Sequence, residues 1–338
     1  MYNNFLKKKP FFVAEISANH NGSIKLAKKL ISTAKKNGAD AVKLQTYSPE
    51  TITINSKRPE FKIKKGLWKG YYLWDLYKKA HTPFSWHKEL FNYAKKKKII
   101  CFSSPFDETA VDLLEKLNCP IYKLASAEIT HLPLIKKIAL TKKPLIISTG
   151  MGSLKEIETA IKYAKKFGTK EIILLYCVSN YPSKISDFNF KNIKILKRKF
   201  KCRVGFSDHS TNNLVAATAV SLGADMIEKH IALKGQKKAL DIAFSAKGDE
   251  IQTYVNTLKQ AYLMSGNNDL YKIKSDKKNK VFRRSIYSIK DIKKGEIFTE
   301  HNIKVVRPNK GLDPSWYFRL LNKKSKFGYK KHMPIKKN

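Results

Sequence analysis

Two histidines, His209 and His230, each end a short apolar run of the sequence. The first run begins at Cys202 and the second at Met226, and a single helix is predicted between them over residues 211–222. A short helical connection requires the two strands to be parallel neighbours, and the carboxyl ends of such strands lie side by side. We therefore expect the two imidazoles to point into one pocket.

Two neighbouring imidazoles are suited to binding a divalent metal ion. Neutral imidazoles, completed by waters or substrate oxygens, make a metal site with open positions that can polarise a carbonyl group. The alternative is that each histidine is a hydrogen-bonded residue at a strand end, without a ligand. The matched placement of the two histidines favours the metal interpretation.

Strand-like apolar runs recur along the chain, and amphipathic helices are predicted in the gaps between them. Eight runs cover residues 11–17, 41–47, 99–106, 121–126, 144–150, 171–177, 202–209 and 226–232. Eight parallel strands alternating with helices predict an α/β fold, a closed (β/α)8 or TIM barrel. A doubly wound open sheet is the competing fold, but no glycine-rich phosphate motif follows the first strand.

The apolar faces of two of these helices are predicted from their spacing. Residues 154–167 place Ile157, Ile161 and Ala164 on one face, and residues 211–222 place Leu214, Thr218 and Leu222 on one face.

The reactive groups of such a barrel lie at the carboxyl ends of its strands. Lys43 and Lys123 are predicted inside strands, where a charged ammonium is costly unless it meets an anion. Four serine hydroxyls at the strand ends could surround that anion: Ser104, Ser126, Ser148 and Ser207. These residues predict a phosphate or carboxylate pocket beside the possible metal, with a Schiff-base lysine as the alternative interpretation.

The formal net charge of +41 raises the question of nucleic-acid binding. The 68 basic residues include only seven arginines, and the lysines are scattered over nearly every predicted helix. Proteins that read nucleic acids favour arginine for bidentate contacts, so a nucleic-acid partner is not expected. Attraction of anionic substrates is the consequence we expect from this charge.

Other features of composition indicate a folded protein of the cytoplasm. The chain has no run of about 18 apolar residues that would span a membrane, and its first ten residues lack the apolar segment of a secretion signal. The four cysteines lack metal-finger spacing and are expected to be reduced: Cys101, Cys119, Cys177 and Cys202.

One connection of the predicted barrel is unusually long. Residues 48–83 carry several aromatic side chains, among them Trp68, Tyr71, Tyr72 and Trp74. Such a long connection is usually functional, and these aromatics could cover a sugar-like ligand. The alternative is that they pack on the barrel rim or belong to an extra helix.

A small second domain is predicted after the barrel of residues 1–265 and a lysine-rich linker of residues 266–280. Residues 281–338 are expected to contain strands at 282–289 and 305–308, a turn at 293–296 and a helix capped by Thr299. So few residues make a marginal core, which favours docking on something larger, such as the barrel of another subunit.

A series of motifs resembles the sialic acid (nonulosonate) synthase family, in order and over almost the whole chain. The motifs are Glu15-Ile-Ser-Ala-Asn-His-Asn-Gly22, Lys43-Leu-Gln-Thr46, Phe102-Ser-Ser-Pro-Phe106, Tyr122-Lys-Leu-Ala-Ser-Ala-Glu128, Ser148-Thr-Gly-Met151, Tyr181-Pro182, Gly205-Phe-Ser-Asp-His209 and Glu228-Lys-His230. Arg307-Pro308 is similar to the family's C-terminal antifreeze-like (SAF) β-clip domain. The resemblance implies a transferase that condenses phosphoenolpyruvate with an amino-sugar aldehyde to give a nine-carbon 2-keto acid and phosphate.

The resemblance also implies a role for individual positions. His209 and His230 would hold Mn²⁺, or Mg²⁺ or Co²⁺, which polarises the sugar aldehyde. The residues implied to bind phosphoenolpyruvate are Lys43, Ser104, Lys123, Ser126, Ser148 and Ser207. Glu128 would act on the water molecule that adds to C2. The residues implied to contact the sugar are Glu15, Gln45, Tyr181 and Asp241, and Glu15 is also implied to be catalytic. Arg307 would reach the sugar from the partner subunit of a domain-swapped homodimer.

Within the family, the insertion Gly66-Leu67-Trp68 and the serine at position 179 resemble the pseudaminic acid branch. That branch uses 2,4-diacetamido-2,4,6-trideoxy-L-altrose, and the alternatives are acceptors that lead to N-acetylneuraminate or legionaminate. Residues 235–239 depart from the family because they are lysine-rich and lack the usual Gly-Pro before Asp241. A non-catalytic binder of acidic polymers is the alternative from another class of function.

The remaining histidines considered are expected to be surface or packing residues. They are His81, His87, His131, His301 and His332.

Overall fold

In the computed structural model, which describes residues 10–266 and 274–337, eight parallel strands close into a barrel. Each strand pairs with the next along the chain, and the first also pairs with the eighth. The strands are β1 (Phe11–Glu15), β2 (Ala41–Thr46), β3 (Ile100–Pro105), β4 (Tyr122–Leu124), β5 (Leu145–Ser148), β6 (Ile172–Cys177), β7 (Arg203–Asp208) and β8 (Met226–Ala232). The TIM-barrel prediction is confirmed, and closure between β1 and β8 rules out the open sheet.

Helices follow the strands and cover the outside of the barrel. They are α1 (Ile24–Lys36), α2 (Pro49–Ile52), α3 (Leu73–Ala80), α4 (Phe84–Lys96), α5 (Glu108–Lys116), α6 (Leu132–Leu140), α7 (Leu154–Lys166), α8 (Lys191–Phe200), α9 (Asn213–Ser221) and α10 (Glu250–Met264). Almost every strand residue is buried, because the strands have side chains in the barrel interior on one face and helices on the other. A short strand, β9 (Ala246–Lys247), extends the pairing at β8 and was not predicted.

The predicted inner face of α7 is confirmed, whereas that of α9 is wrong. Ile157, Ile161 and Ala164 are buried, but Leu214 is 64% exposed, and α9 buries Val215, Ala216, Ala219 and Val220 instead. The side chain of Asn212 caps α9 by accepting a hydrogen bond from Leu214 N, so Leu214 lies in the open first turn. Alanine and valine occur around much of this helix, so the spacing of its apolar residues does not indicate which face is buried.

The register of the barrel brings chemistry-bearing residues of different strands to one level. Glu15 of β1 pairs with Lys43 of β2 on one side and with His230 of β8 on the other. Ser207 of β7 pairs with Glu228 of β8. Side chains far apart in the sequence therefore meet at the carboxyl end of the barrel.

The long connection between β2 and β3 has structure of its own. It contains α2, a 3-10 turn at Pro59–Phe61, an isolated bridge between Lys62 and Tyr72, and α3. This outcome agrees with an extra helix in the segment, and its aromatic side chains are described with the site below.

A second compact unit begins after Gly266. It contains α11 (Lys274–Asn279), β10 (Ser285–Ser288), β11 (Ile303–Val306) and α12 (Tyr317–Leu320), and β10 pairs antiparallel with β11. Its small core is formed by Ile286, Ile292, Phe298, Ile303, Leu320, Tyr329 and Ile335. Part of the expected linker is therefore helical, and residues 267–273 of it lie outside the described residues.

The helix expected after Thr299 is wrong. Residues 299–302 form a turn in which the Asn302 side chain accepts a hydrogen bond from Thr299 N at 2.7 Å, and β11 follows at once. Thr299 was predicted to cap a helix, but the chain after it turns directly into β11.

Two predictions from composition concern the rest of the chain. All four cysteines are free thiols. Within residues 10–266 and 274–337, none of the helices is both long and apolar enough to cross a membrane. The N-terminal stretch considered for a secretion signal lies, in residues 1–9, outside the part of the chain that the structure describes.

Candidate active site at the carboxyl end of the barrel

The two predicted histidines converge. Their ring centroids are 5.6 Å apart, and both side chains are buried. His209 Nδ1 lies 2.9 Å from the carbonyl oxygen of Val178, which can only accept, so Nδ1 carries the proton and Nε2 keeps its lone pair. His230 Nδ1 lies 3.6 Å from Asp241 Oδ2 and has no hydrogen-bond partner.

Both imidazoles are held in the neutral form. Burial lowers the pKa of His209 to about 4. Burial, followed by the neighbouring His209 and Lys43, lowers the pKa of His230 well below its usual value. A neutral imidazole with a free lone pair is the form that ligates a metal ion, so the chemistry of these two donors fits the expected divalent cation.

The protein would supply few ligands to such an ion. Among the described residues, no three histidines, cysteines, aspartates or glutamates surround a common metal position. An ion held by His209 and His230 would therefore take its other ligands from water or substrate oxygens, which leaves open positions for an aldehyde.

Four buried charged residues share the barrel interior near the histidines: Glu15, Lys43, Lys123 and Glu228. The ammonium of Lys43 forms an ion pair with Glu15, and its Nζ lies 3.5 Å from Glu228 Oε1. Lys123 Nζ lies 3.4 Å from the same oxygen of Glu228. We predicted an anion beside these two lysines, and the anions that the structure shows there are carboxylates of the chain, because a buried ammonium is costly without a counter-charge.

The directions of the pKa changes follow from this pairing. Burial tends to lower the pKa of both lysines, but Glu15 and Glu228 reverse this for Lys43, whose pKa is raised, whereas that of Lys123 is lowered. Burial raises the pKa of Glu15, and for Glu228 the two lysines outweigh burial and lower its pKa. Glu228 therefore holds both cations through one carboxylate.

No role had been predicted for Glu228. A signal was available, because residues two apart on a strand share a face, and Glu228 must therefore point to the same side as His230.

Two of the four predicted serines contact this charge cluster. Ser104 Oγ accepts from Lys43 Nζ at 3.2 Å, and Ser207 Oγ donates to Glu228 Oε1 at 3.3 Å. Ser126 Oγ accepts from the backbone N–H of Gly150 at 3.1 Å. The hydroxyl of Ser148 is buried without a hydrogen-bond partner.

A cavity of about 280 Å³ opens beside His230. Three of the predicted sugar-binding residues, Gln45, Tyr181 and Asp241, line it. Ser17, which was not predicted, also lines it and donates a hydrogen bond to the Asp241 carboxylate. Glu15 does not line the cavity but contacts Lys43 instead.

Aromatic side chains form much of the cavity wall. The Tyr181 ring lies 4.4 Å from the His209 ring, and the Phe244 ring lies 4.8 Å from the His230 ring. Trp68, from the long connection, lines the cavity with its ring 5.4 Å from Tyr181. Tyr72, by contrast, is the residue before α3, and Lys57 Nζ lies 4.5 Å from the centroid of its ring.

Glu128 lies in the 3-10 turn Ser126–Glu128, which follows β4, and does not itself line the cavity. Burial raises the pKa of this carboxyl, although the nearby His131 acts in the opposite direction. The charge of Glu128 is in turn the second cause, after burial, of a raised pKa at Tyr77, which lines the cavity. A half-buried carboxyl in this position is suited to proton transfer.

Two other predicted residues lie elsewhere. Arg307 follows β11 in the C-terminal unit and is exposed, and its approach to the site remains a prediction. His87 packs inside the barrel unit, with its Nε2 2.8 Å from Thr46 Oγ1 and its Nδ1 donating to the Pro83 carbonyl, which confirms the packing interpretation.

Comparisons with known proteins agree with this arrangement. The model of the NeuB family matches residues 30–269. Pseudaminic acid synthase from Campylobacter jejuni is 44% identical over 318 residues, covering 94% of this chain and 93% of that protein. Pseudaminic acid synthase from Helicobacter pylori is 44% identical over 327 residues and covers 96% of each chain.

A solved structure is also similar. The N-acetylneuraminic acid (sialic acid) synthetase from Leptospira borgpetersenii superimposes with a TM-score of 0.72 at 30% identity, over 80% of this chain and 90% of that one.

Proposed function

We propose, because the chain belongs to the NeuB family, that it condenses phosphoenolpyruvate with 2,4-diacetamido-2,4,6-trideoxy-L-altrose, the reaction of a pseudaminic acid synthase. The products are a nine-carbon 2-keto sugar acid and inorganic phosphate. The observation that carries the proposal is that three features meet at one end of the barrel. They are the two neutral imidazoles, the sugar-sized cavity, and the cluster of Lys43, Lys123, Glu15 and Glu228, which we call the anion cluster because its lysines can bind an anion.

The anion cluster is suited to phosphoenolpyruvate. Lys43 and Lys123 offset the negative charge of its phosphate and carboxylate, and the hydroxyl of Ser148 can donate to one of its oxygens. Because both lysines are already paired, the incoming anion shares them with Glu15 and Glu228. The cost of desolvating the lysines is met in folding and not at the moment of binding.

The cavity beside His230 supports binding of the sugar aldehyde next to the histidines. A divalent ion held by His209 and His230 would supply Lewis-acid polarisation of the aldehyde oxygen. Gln45 and Asp241 line the cavity next to His230 and can hydrogen-bond the sugar chain. C3 of phosphoenolpyruvate then attacks the aldehyde carbon, whose oxygen takes up a proton and becomes a hydroxyl.

Glu128 manages the second half of the reaction. Attack by C3 leaves a cationic centre at C2, and a water molecule adds there as Glu128 accepts its proton. Loss of inorganic phosphate, with cleavage of the bond between C2 and the bridging oxygen, gives the 2-keto acid. Burial moves the pKa of Glu128 toward neutral pH, which makes its carboxylate a better proton acceptor.

We further propose a metal, a domain family, a cellular compartment and an oligomeric state. The metal is Mn²⁺, the C-terminal unit is an antifreeze-like (SAF) domain, and the enzyme works in the cytoplasm. It forms a domain-swapped homodimer in which Arg307 reaches the sugar site of the partner. The resemblance of Arg307-Pro308 to the SAF motif supports the assignment of the SAF domain and of the domain-swapped homodimer.

The test is phosphate release from phosphoenolpyruvate by the purified protein with Mn²⁺ and a panel of three sugars. The panel holds the acceptors that lead to pseudaminate, legionaminate and N-acetylneuraminate. We expect turnover with the first and a keto acid of the matching mass. Turnover with another sugar alone would reassign the substrate, and no phosphate release with any would favour a binder of acidic polymers.

A further inference from the structure

We propose that Trp68 determines acceptor specificity, by forming an apolar wall against the methyl-bearing groups of the sugar. This inference rests on the proposed function, because it concerns the acceptor of the same reaction. It assigns to the segment between β2 and β3 the task of distinguishing a deoxy, acetamido sugar from a more hydroxylated one.

The residues that line the cavity beside His230 fall into two chemically different groups. Residues at the barrel ends supply polar groups: Ser17, Gln45, His230 and Asp241. The segment between β2 and β3 supplies mostly apolar side chains, in which the two tyrosine hydroxyls are the polar exceptions: Tyr47, Ile63, Trp68, Leu76, Tyr77 and Ala80. A sugar bound with its aldehyde at His230 would therefore meet hydrogen-bonding groups of the barrel and a mainly apolar surface of this segment.

Trp68 is fixed in this wall by its one polar atom. Its Nε1 donates to the carbonyl oxygen of Leu240 at 3.1 Å, and its ring contacts Tyr181 and, at 6.5 Å between centroids, Phe244. With the indole N–H engaged, the remaining ring surface offers no hydrogen bond to a ligand.

The backbone around Trp68 forms a closed turn that holds the indole in place. Ile63 N donates to Tyr71 O, and Gly70 N donates to Ile63 O, both at 2.9 Å. Gly66 and Gly70 have φ of +82° and +95°, values in the left-handed region that glycine tolerates best. Glycines on both sides of Trp68 thus allow a loop tight enough to place the indole over the cavity.

Trp68 also lines a second cavity, of about 340 Å³, together with Leu67, Tyr71 and Lys238. Because the indole borders both spaces, shortening it would join them and admit water to the apolar side of the sugar site. The indole face offers no hydrogen bond and so disfavours a sugar hydroxyl placed against it, because the hydroxyl loses its water on binding and gains no partner. Such a wall typically discriminates by about 10- to 100-fold in kcat/KM.

The experiment compares the proposed acceptor with two congeners, each changed at one position. One carries a hydroxyl on C6 in place of hydrogen, and the other carries a hydroxyl in place of the 4-acetamido group. We measure preference as the ratio of kcat/KM for the proposed acceptor to kcat/KM for a congener. The wild type should prefer the proposed acceptor, and Trp68→Ala should lower this ratio by about 10-fold for at least one congener. KM for phosphoenolpyruvate is expected to stay within about twofold.

Trp74→Ala is the matched control, because Trp74 lies in the same segment, in α3, but does not line the cavity. It should leave both preferences unchanged. Trp68→Leu keeps an apolar but smaller side chain and replaces the alanine variant if that variant does not fold. Its expected loss of preference is about threefold.

Unchanged preferences in a folded, active Trp68 variant would overturn the inference while leaving the proposed function intact. An equal loss of kcat/KM with all three sugars would also overturn it, since that pattern indicates a purely structural role. A wild-type protein that turns over none of the sugars would overturn the proposed function itself, so the two failures are distinguishable.

Discussion

At the level of single side chains, the barrel interior combines uncharged imidazoles with ionised pairs. His209 and His230 are neutral and lack acidic hydrogen-bond partners, whereas Lys43 and Lys123 share the carboxylate of Glu228. The two imidazoles can donate lone pairs to a metal cation, and the two lysines can bind an anion. Both arrangements have a stability cost that a purely apolar core would avoid, which is typical of functional sites.

Replacing either histidine tests the metal assignment. We expect His209→Ala and His230→Ala each to abolish turnover and Mn²⁺ binding with the fold intact, as measured by phosphate release, metal analysis and circular dichroism. His301→Ala is a suitable control, since His301 is an exposed residue of the C-terminal unit. A His209→Ala enzyme with the wild-type rate would rule out the metal role.

Glu228→Gln tests the shared carboxylate. Removing one buried negative charge leaves two ammonium groups with one carboxylate, so we expect the free energy of unfolding to fall by roughly 3 kcal/mol. Phosphoenolpyruvate should raise the melting temperature of this variant by more than that of the wild type, because the ligand replaces the missing charge. Thermal melts with and without phosphoenolpyruvate measure both effects, and equal ligand-induced shifts would contradict the cluster's role in anion binding.

Among the helices and strands, β8 and the segment between β2 and β3 contribute most to the site. Alternation along β8 directs Glu228 and His230 inward and Lys229 outward, where it pairs with Asp208. Helix α4 follows the long segment and anchors its end to β2 through the contact between His87 and Thr46. The position of the apolar wall therefore depends on buried hydrogen bonds behind it.

His87 gives this packing a pH dependence. Burial lowers its folded-state pKa from 6.5 to about 4, so its contribution to stability is present above pH 6.5 and is lost as the pH falls toward 4. For this residue alone we expect the free energy of unfolding to be lower at pH 5 than at pH 7 by about 2 kcal/mol.

His87→Gln keeps a hydrogen-bonding side chain and removes the titration, so its melting temperature should fall less between pH 7 and pH 5 than that of the wild type. His20, which is also buried with a lowered pKa of about 4, remains in both proteins and adds the same background. Identical pH profiles for the variant and the wild type would show that His87 does not contribute.

The chain divides into two compact units, a barrel that contains the candidate site and a smaller unit that carries Arg307. The barrel unit contains the imidazoles, the anion cluster and the cavity, so its own core is sufficient to position them. The smaller unit has a separate core of its own. A contribution from Arg307 would therefore be supplied to a barrel that is already assembled.

Removing the residues after Lys280 tests this division. We expect the truncated protein to keep the helical signal and cooperative melting of the barrel and to lose most of its turnover through the absence of Arg307. Arg307→Ala in the full chain is the matched variant and should lose activity to a similar degree. Full activity of the truncated protein would refute the swapped arm.

The sequence by itself determined the barrel and the location of its chemistry. Eight apolar runs separated by helical segments predict a closed α/β fold, in which polar residues at the run ends meet at one face. The convergence of His209 and His230 follows from their equivalent places at the ends of adjacent strands. Local patterns are sufficient for such features because they depend on strand order and direction alone.

Tertiary structure alone decided which charges neutralise each other and what closes the sugar cavity. Glu15, Lys43 and Glu228 become neighbours only when β8 pairs with β1, and Trp68 reaches the site only through the folded turn between β2 and β3. The inner face of α9 belongs here too, since its composition is apolar on several sides and packing selects one. Long-range distances and burial set these outcomes, and neither is encoded in the spacing of residues along the chain.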